Sequence, residues 1–335
     1  MAKFSCLHSA TTRRRLLAAC VAVPALAWVD ALRAQANPPL VIGWLIPGSR
    51  GEGRGTRAFN EAMAALGWKL GTQYVLEERF ADGHADRLPA LAQELATKKP
   101  AVIVVFTSVA ARAAAATAPT TPIVLASGDP LSTGLVTSLA RPGGMITGLS
   151  NVSADLNLKV VELLVETMPK LKRVGFLNDS TSTRHASVGE GLRSAAERLR
   201  IEAVIVDVAK PEDIEPAMAR LAKEKVQALV LLASVWVGEF HPKIIGLALA
   251  QRWPVAGIGS GTTRQGGLFS YGPDRIAMLQ RSAFYVDRIL KGAKPGDLPI
   301  EQPTTFDLVL NLKTAKHLGI TIPPSMRIRA TEVIE

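Results

Sequence analysis

A glycine-rich run, Gly48-x-x-Gly51-x-Gly53-x-Gly55, follows an apolar stretch and precedes a helical pattern, where a backbone cradle for a pyrophosphate would be expected. The spacing does not complete that chemistry. A G-x-G-x-x-G starting at Gly51 needs glycine at 56, which is Thr56, and no G-K-[ST] ending follows. Glu77 and Glu78 could imitate a ribose-binding acid, although carboxylates at the polar end of a strand are ordinarily just solvated. Nucleophilic catalysis has less support, because no serine centres a G-x-S-x-G elbow and Gly259-Ser260-Gly261 is offset from it by one residue. His84, His185, His241 and His317 stand isolated, without H-E-x-x-H spacing, and read as surface or loop histidines. No catalytic residue, metal site or cofactor is therefore expected. Asp129, before Pro130, can cap the next turn or accept an ammonium from a ligand, and both roles stay open.

The elements that would carry these residues alternate apolar, β-branched runs with helical patterns, the signature of a parallel sheet covered on both faces. Strands are predicted at Val41–Ile46, Gln73–Phe80, Ala101–Phe106, Ile123–Ala126 and Met145–Leu149, with helices near Arg57–Leu66, Arg87–Lys98 and Val109–Ala116. The pattern restarts after a helix at Ala154–Met168. Further strands are expected at Arg173–Leu177, Ala203–Val206, Ala228–Leu232 and Val255–Ile258, with helices near Ser187–Leu199, Pro211–Lys223 and Pro242–Gln251. A helix at Ile276–Leu290, a strand at Phe306–Leu310 and a short helix near Lys313–Leu318 follow. This predicts an α/β protein of two Rossmann-like, doubly wound lobes joined by a hinge. Residues 40–150 plus about 274–302 form lobe 1, and 151–273 plus about 304–335 form lobe 2.

In open α/β sheets ligands sit beyond the carboxyl ends of the strands. The loops there are rich in hydroxyls, amides and glycines: Pro47–Thr56 with Ser49, Thr107-Ser108 and Ser127–Ser132 in the first lobe, and Asn178–Arg184, Ser234–Glu239 and Gly259–Arg264 in the second. Such loops suit a small ligand held by hydrogen bonds and helix N-termini.

The formal net charge is +10. Residues 1–36 hold five Lys or Arg and one Asp, which leaves 34 basic against 28 acidic side chains in the remainder. Those basic residues are dispersed and aromatics are few, so no nucleic-acid surface is expected. Lys3 and Arg13 to Arg15 form a positive n-region, Leu16–Val29 is too short to span a bilayer, and Ala34-Gln35-Ala36 offers a cleavage site. Residues 1–36 thus read as a signal peptide for export to the periplasm, by the Sec or the twin-arginine route. Leu17-Ala18-Ala19-Cys20 is similar to a lipoprotein site, but only Leu16–Ala19 would precede it as h-region, so lipid anchoring is the less favoured alternative. Both cysteines, Cys6 and Cys20, fall in this segment, which leaves the mature chain no thiol for disulfides or thiolate chemistry.

Gly128-Asp129-Pro130 through Gly134-Leu135-Val136, and Leu139-Ala140-Arg141-Pro142-Gly143-Gly144 to Thr147-Gly148-Leu149-Ser150, resemble the ABC transporter substrate-binding family that includes tryptophan- and tyrosine-binding lipoproteins. The resemblance recurs at Gly267–Pro273, at Tyr285–Pro295 and at Asn311–Ala315 through Ile322–Ser325, and covers Leu40–Glu335 in order. It implies a type I periplasmic binding fold closing over one ligand, and an inner-membrane ABC permease as partner. It also implies that Thr107, Ser108, Ser127 and Asp129 lie on the first lobe's cleft edge and Asn178, Ser234 and Ser260 on the second. The sequence departs from commoner family forms at Asn178-Asp179-Ser180 and at Gly257–Thr262, so an amino acid, a peptide-like compound and an organic acid all stay open as ligands. The alternatives are a two-domain nucleotide- or carbohydrate-processing enzyme of the same topology, and a ligand-sensing receptor module.

Overall fold

Val102–Val105 is a run of four β-branched residues, all buried, and it sets the character of the first sheet. Side chains alternate across a strand, so Val102 and Val104 pack to one face while Ile103 and Val105 pack to the other, and both faces need cover. The computed structural model describes residues 38–50, 53–151, 153–182, 185–232, 234 and 237–335. The expected signal segment 1–36 lies outside them.

The first sheet contains β1 (Leu40–Ile46), β2 (Tyr74–Phe80), β3 (Val102–Val105), β4 (Ile123–Leu125) and β5 (Ile146–Gly148) in the order β2-β1-β3-β4-β5, all parallel. The connections carry α1 (Arg54–Ala65), α2 (Leu88–Thr97) and α3 (Ser108–Thr117). Leu88, Leu91, Leu95 and the alanines of α3 cover the face of Ile103 and Val105. Phe59 and Met63 of α1 cover the opposite face.

After α4 (Ser153–Thr167) the second sheet gathers β6 (Arg173–Asp179), β7 (Glu202–Val208), β8 (Ala228–Leu231), β9 (Val255–Gly257), β10 (Phe269–Pro273), β11 (Phe306–Asn311) and β12 (Glu332–Ile334). Its order is β12-β11-β10-β9-β8-β6-β7, parallel except for β10 against β11. The helices of this lobe are α5 (His185–Arg198), α6 (Ile214–Lys223), α7 (His241–Ala250) and the single turn α8 (Gly261–Arg264). The fold class is thus α/β with two parallel-sheet lobes, as expected. Four elements were not anticipated: β10, the single turn α8, which was read as part of a loop, the C-terminal edge strand β12, and the helix α11 (Pro324–Arg329) that follows α10 (Leu312–Leu318).

The chain passes between the sheets more than once. From β10 it enters α9 (Arg275–Leu290), which packs beside α1 on the first sheet, and it then returns to the second sheet as β11. The passing segments are bonded to one another. Ser150 N donates to Glu301 O at 2.8 Å, Glu301 N to Gly148 O at 3.0 Å, and Asp274 N to Thr305 O at 3.4 Å. Gly148 is required here: its φ is +123°, and a β-carbon would lie 2.2 Å from the Leu125 carbonyl oxygen.

Candidate functional site

Parallel strands place all their carboxyl ends on one edge of a sheet, so the loops after β1, β3 and β4 form one group and those after β6, β8 and β9 another. Both groups reach the chain that passes between the lobes. The Gly128 carbonyl, after β4, accepts from Asn151 N at 2.7 Å. A β-carbon on Gly272, in β10, would lie 2.9 Å from the amide nitrogen of Gly259, after β9.

In the first lobe, Thr107 caps α3, its hydroxyl accepting from Ala110 N at 3.2 Å. Ser108 Oγ accepts from Asp129 N at 3.0 Å, which joins the β3 and β4 loops. Asp129 Oδ1 accepts from Ser132 N at 3.1 Å, so its turn-capping role is realised in the structure. Ser127 is partly buried at the same rim and Ser49 is exposed after β1. Phe106, directly after β3, stands edge-on to Trp44 with ring centroids 5.0 Å apart and is partly buried.

In the second lobe, Asn178 is 4% exposed and donates its amide to His185 O at 3.3 Å and to Asp207 Oδ1 at 3.2 Å. Asp207 also holds His185 Nε2 at 2.7 Å. His185, expected to be isolated, therefore has an acidic partner, which strand pairing of β6 with β7 brings near from 22 residues away. Ser234 donates to Asp179 Oδ2 at 2.8 Å, and Asp179 Oδ1 accepts from the amide and hydroxyl of Thr181 at 2.9 and 2.6 Å. Asp179 thus organises the β6 and β8 loops, a role that sequence reasoning did not assign. Ser260 precedes α8, partly buried, with its hydroxyl unpartnered among the described residues. The small-residue segment 257–262 has a packing cause, since a β-carbon on Gly257 would lie 2.5 Å from Thr262 Oγ1.

The glycine-rich loop after β1 serves helix geometry where it is described. Gly53 is the left-handed N-cap of α1 with φ +67°, and Gly55 gives way to Leu279 of α9, whose Cδ1 would lie 2.9 Å from a β-carbon there. Glu78 is held by Thr56 Oγ1 at 3.0 Å and by Arg50 at 2.6 Å. A cavity of about 480 Å³ lies beside these groups, lined by Arg50, Thr56, Asn60 and Glu78 among others, and it takes no residue from the second lobe. The strand-end loops, which draw on both lobes, are the better candidate site. Among the described residues no cluster of His, Cys, Asp and Glu could hold a metal ion, and no helix is long and apolar enough to cross a membrane.

Residues 53–334 match the profile of the ABC transporter substrate binding protein family. The chain belongs to that family. Among relatives, the Tyrosine-binding protein of Clostridioides difficile is 23% identical over 266 residues, covering 79% of this chain and 76% of that protein. A conserved domain protein from Vibrio cholerae has a solved structure that superposes with a TM-score of 0.82 at 28% identity, covering 89% of this chain and all of the other. An ABC domain from Streptococcus pneumonia, solved in complex with L-Trp, also superposes with a TM-score of 0.82, at 24% identity and the same coverage. This substrate-binding protein thus has the type I periplasmic binding fold that the resemblance implied.

Proposed function

We propose that this substrate-binding protein is exported, loses residues 1–36 and works in the periplasm. There it captures an amino acid or a related organic acid between its lobes and presents it to an ABC permease in the inner membrane. The family match over 53–334, set on a fold whose polar strand-end loops meet the same passing chain from both sheets, is the observation that carries this reading. The amino-acid class follows from relatives described as tyrosine-binding or solved with L-Trp.

Lobe 1 would comprise residues 40–150 plus about 274–302, and lobe 2 residues 151–273 plus about 304–335. The packing of α9 on the first sheet, between β10 and β11 of the second, supports that division. Hinges fall near Ser150–Asn151, Ser270–Pro273 and Pro303–Thr305. The ligand contacts in this reading are Ser49, Thr107, Ser108, Ser127 and Asp129 from lobe 1 and Asn178, Ser234 and Ser260 from lobe 2. Asn178 would contribute through its oxygen, since its NH2 is engaged by His185 and Asp207. The protein carries out no chemistry and needs no cofactor.

A ligand that favours the closed form must touch both lobes, because it shifts the balance only by its differential affinity. A thermal-shift screen of amino acids and small organic acids finds such a ligand by the rise in melting temperature. Small-angle scattering should then show a smaller radius of gyration at saturation. A stabilising ligand that leaves the radius unchanged would overturn the closure mechanism.

A further inference from the structure

β2 is an edge strand of the first sheet: β1 pairs with one side of it, and no strand among the described residues pairs with the other. The bonding pattern fixes which groups point outward. Gln73 O accepts from Leu40 N of β1 at 2.9 Å, whereas Tyr74 O points away from β1 and accepts from Gly71 N at 2.8 Å. Backbone direction alternates along a strand, so Leu76, Glu78 and Phe80 also turn their N–H and C=O groups outward. This window is bounded at both ends. Before it, Leu70 bridges to Tyr74; after it, the chain turns through Asp82 and Gly83, with φ of +53° and +83°. A groove runs along the α1 side of the edge. The cavity of about 480 Å³ adjoins a second of about 330 Å³, with which it shares Thr56, Asn60 and Glu78, and Leu70, 53% exposed, lines the second. An unpaired strand edge beside an unfilled groove is a surface onto which another strand can add.

The side chains of the window specify which strand. Taken antiparallel about Glu78, the run Leu76-Glu77-Glu78-Arg79-Phe80 is complementary to itself. Glu77 stands opposite the partner's Arg79, and Arg79 opposite the partner's Glu77, in the closely spaced kind of cross-strand pair. Leu76 stands opposite the partner's Phe80. The two Glu78 carboxylates meet as like charges, but each has its own counter-charge in Arg50 at 2.6 Å and a hydrogen bond from Thr56 Oγ1 at 3.0 Å. Arg79 suits the exchange. In the single chain its guanidinium bonds the outward Glu78 carbonyl at 2.8 Å and Glu94 at 2.8 Å, with Glu77 at 3.5 Å. Pairing gives that carbonyl to the partner's Glu78 N–H, which lets Arg79 keep Glu94 and turn to the partner's Glu77. The edge strand of the second sheet makes the contrast, because β7 carries two acids and no base and offers no such pairing.

We propose that a second copy of this chain docks here, β2 against β2 across a two-fold axis, so that the two five-stranded sheets join into one. The pairing goes beyond the ligand-binding reading and stands apart from it, since it takes none of the proposed ligand contacts.

Sedimentation equilibrium on the mature protein tests this. A short strand contact lies at the small end of specific interfaces, so the native protein should pass from monomer to dimer at roughly 10–100 µM. Arg79→Glu puts like charges at both cross-strand positions and should weaken the dimer roughly tenfold or more. Glu77→Arg should do the same, and it serves as the second probe if Arg79→Glu does not fold. The double variant, Glu77→Arg with Arg79→Glu, exchanges the two charges and should associate as the native protein does, a recovery that damage to the fold cannot produce. Melting curves followed by circular dichroism identify the folded variants. A native protein that stays monomeric up to about 300 µM would leave the edge to a strand of some other protein and overturn the proposal. A dimer that neither single variant weakens, or a folded double variant that associates no better than the singles, would overturn it as well.

Discussion

A β-carbon on Gly272 would fall 2.9 Å from the amide nitrogen of Gly259, so the strand that leaves the second lobe and the loop after β9 meet backbone to backbone. A methyl group cannot be accommodated by turning a side chain aside, because the obstacle is main chain. Gly272→Ala is therefore expected to lower stability by about 1–3 kcal/mol. Urea unfolding monitored by tryptophan fluorescence measures this, and an unchanged midpoint would show that β10 can shift away from the loop.

His241 gives the protein a pH dependence of predictable sign. Burial pushes its pKa down to about 4, and its ring Nε2 is buried without a partner among the described residues. Its place in the first turn of α7 acts in the same direction, since a helix N-terminus disfavours a cation. The folded state therefore keeps this histidine neutral while the unfolded chain takes up a proton below about pH 6.5. Its contribution is fully present above that pH and is lost as pH falls toward 4, to a total of roughly 1–3 kcal/mol. Denaturation at pH 7 and pH 4.5 should show this loss in the native protein and a flatter dependence in His241→Gln.

Arg281 and Glu301 tie α9 to the segment that returns to β11. The guanidinium bonds both carboxylate oxygens and stacks over the Phe284 ring at 4.0 Å, and this bonding holds the Glu301 carboxyl below its usual pKa. Both side chains are substantially exposed, so solvent screening limits the pair to about 1 kcal/mol or less. Glu301→Gln should lower stability by that amount in dilute buffer. The difference should shrink at 1 M salt, as denaturation at two ionic strengths would show.

The sheets were legible in the sequence because their strands are short runs such as Val102–Val105 and Ala228–Leu231, which are apolar on both faces and bounded by turn residues. Glu332–Ile334 was not legible: it is three residues long, ends in alternating polarity and pairs only along one edge of β11. The candidate site divides in the same way. Thr107 and Asp129 act within four residues of their own position, so local rules found them. The Ser234–Asp179 and His185–Asp207 contacts join residues 55 and 22 apart, and no spacing rule anticipates them.

Asp129 offers the sharpest separation of structural from ligand-binding roles. Its Oδ1 accepts from Ser132 N, its carbonyl accepts from the Thr133 hydroxyl at 2.6 Å, and its amide donates to Ser108 Oγ. Removing the carboxylate as Asp129→Ala should therefore cost about 0.5–2 kcal/mol of stability in the unliganded protein, the range for a lost cap. Asp129→Asn keeps an oxygen that can accept from Ser132 N, so the unliganded protein should stay close to native stability. If the carboxylate also faces a ligand ammonium, Asp129→Asn should weaken an amine-bearing ligand by about 1.5–3 kcal/mol. Affinity by calorimetry and unliganded stability by urea unfolding, measured on the same two variants, decide the matter. Native affinity in Asp129→Asn would confine Asp129 to its turn and leave recognition of the ammonium to other acceptors of the site.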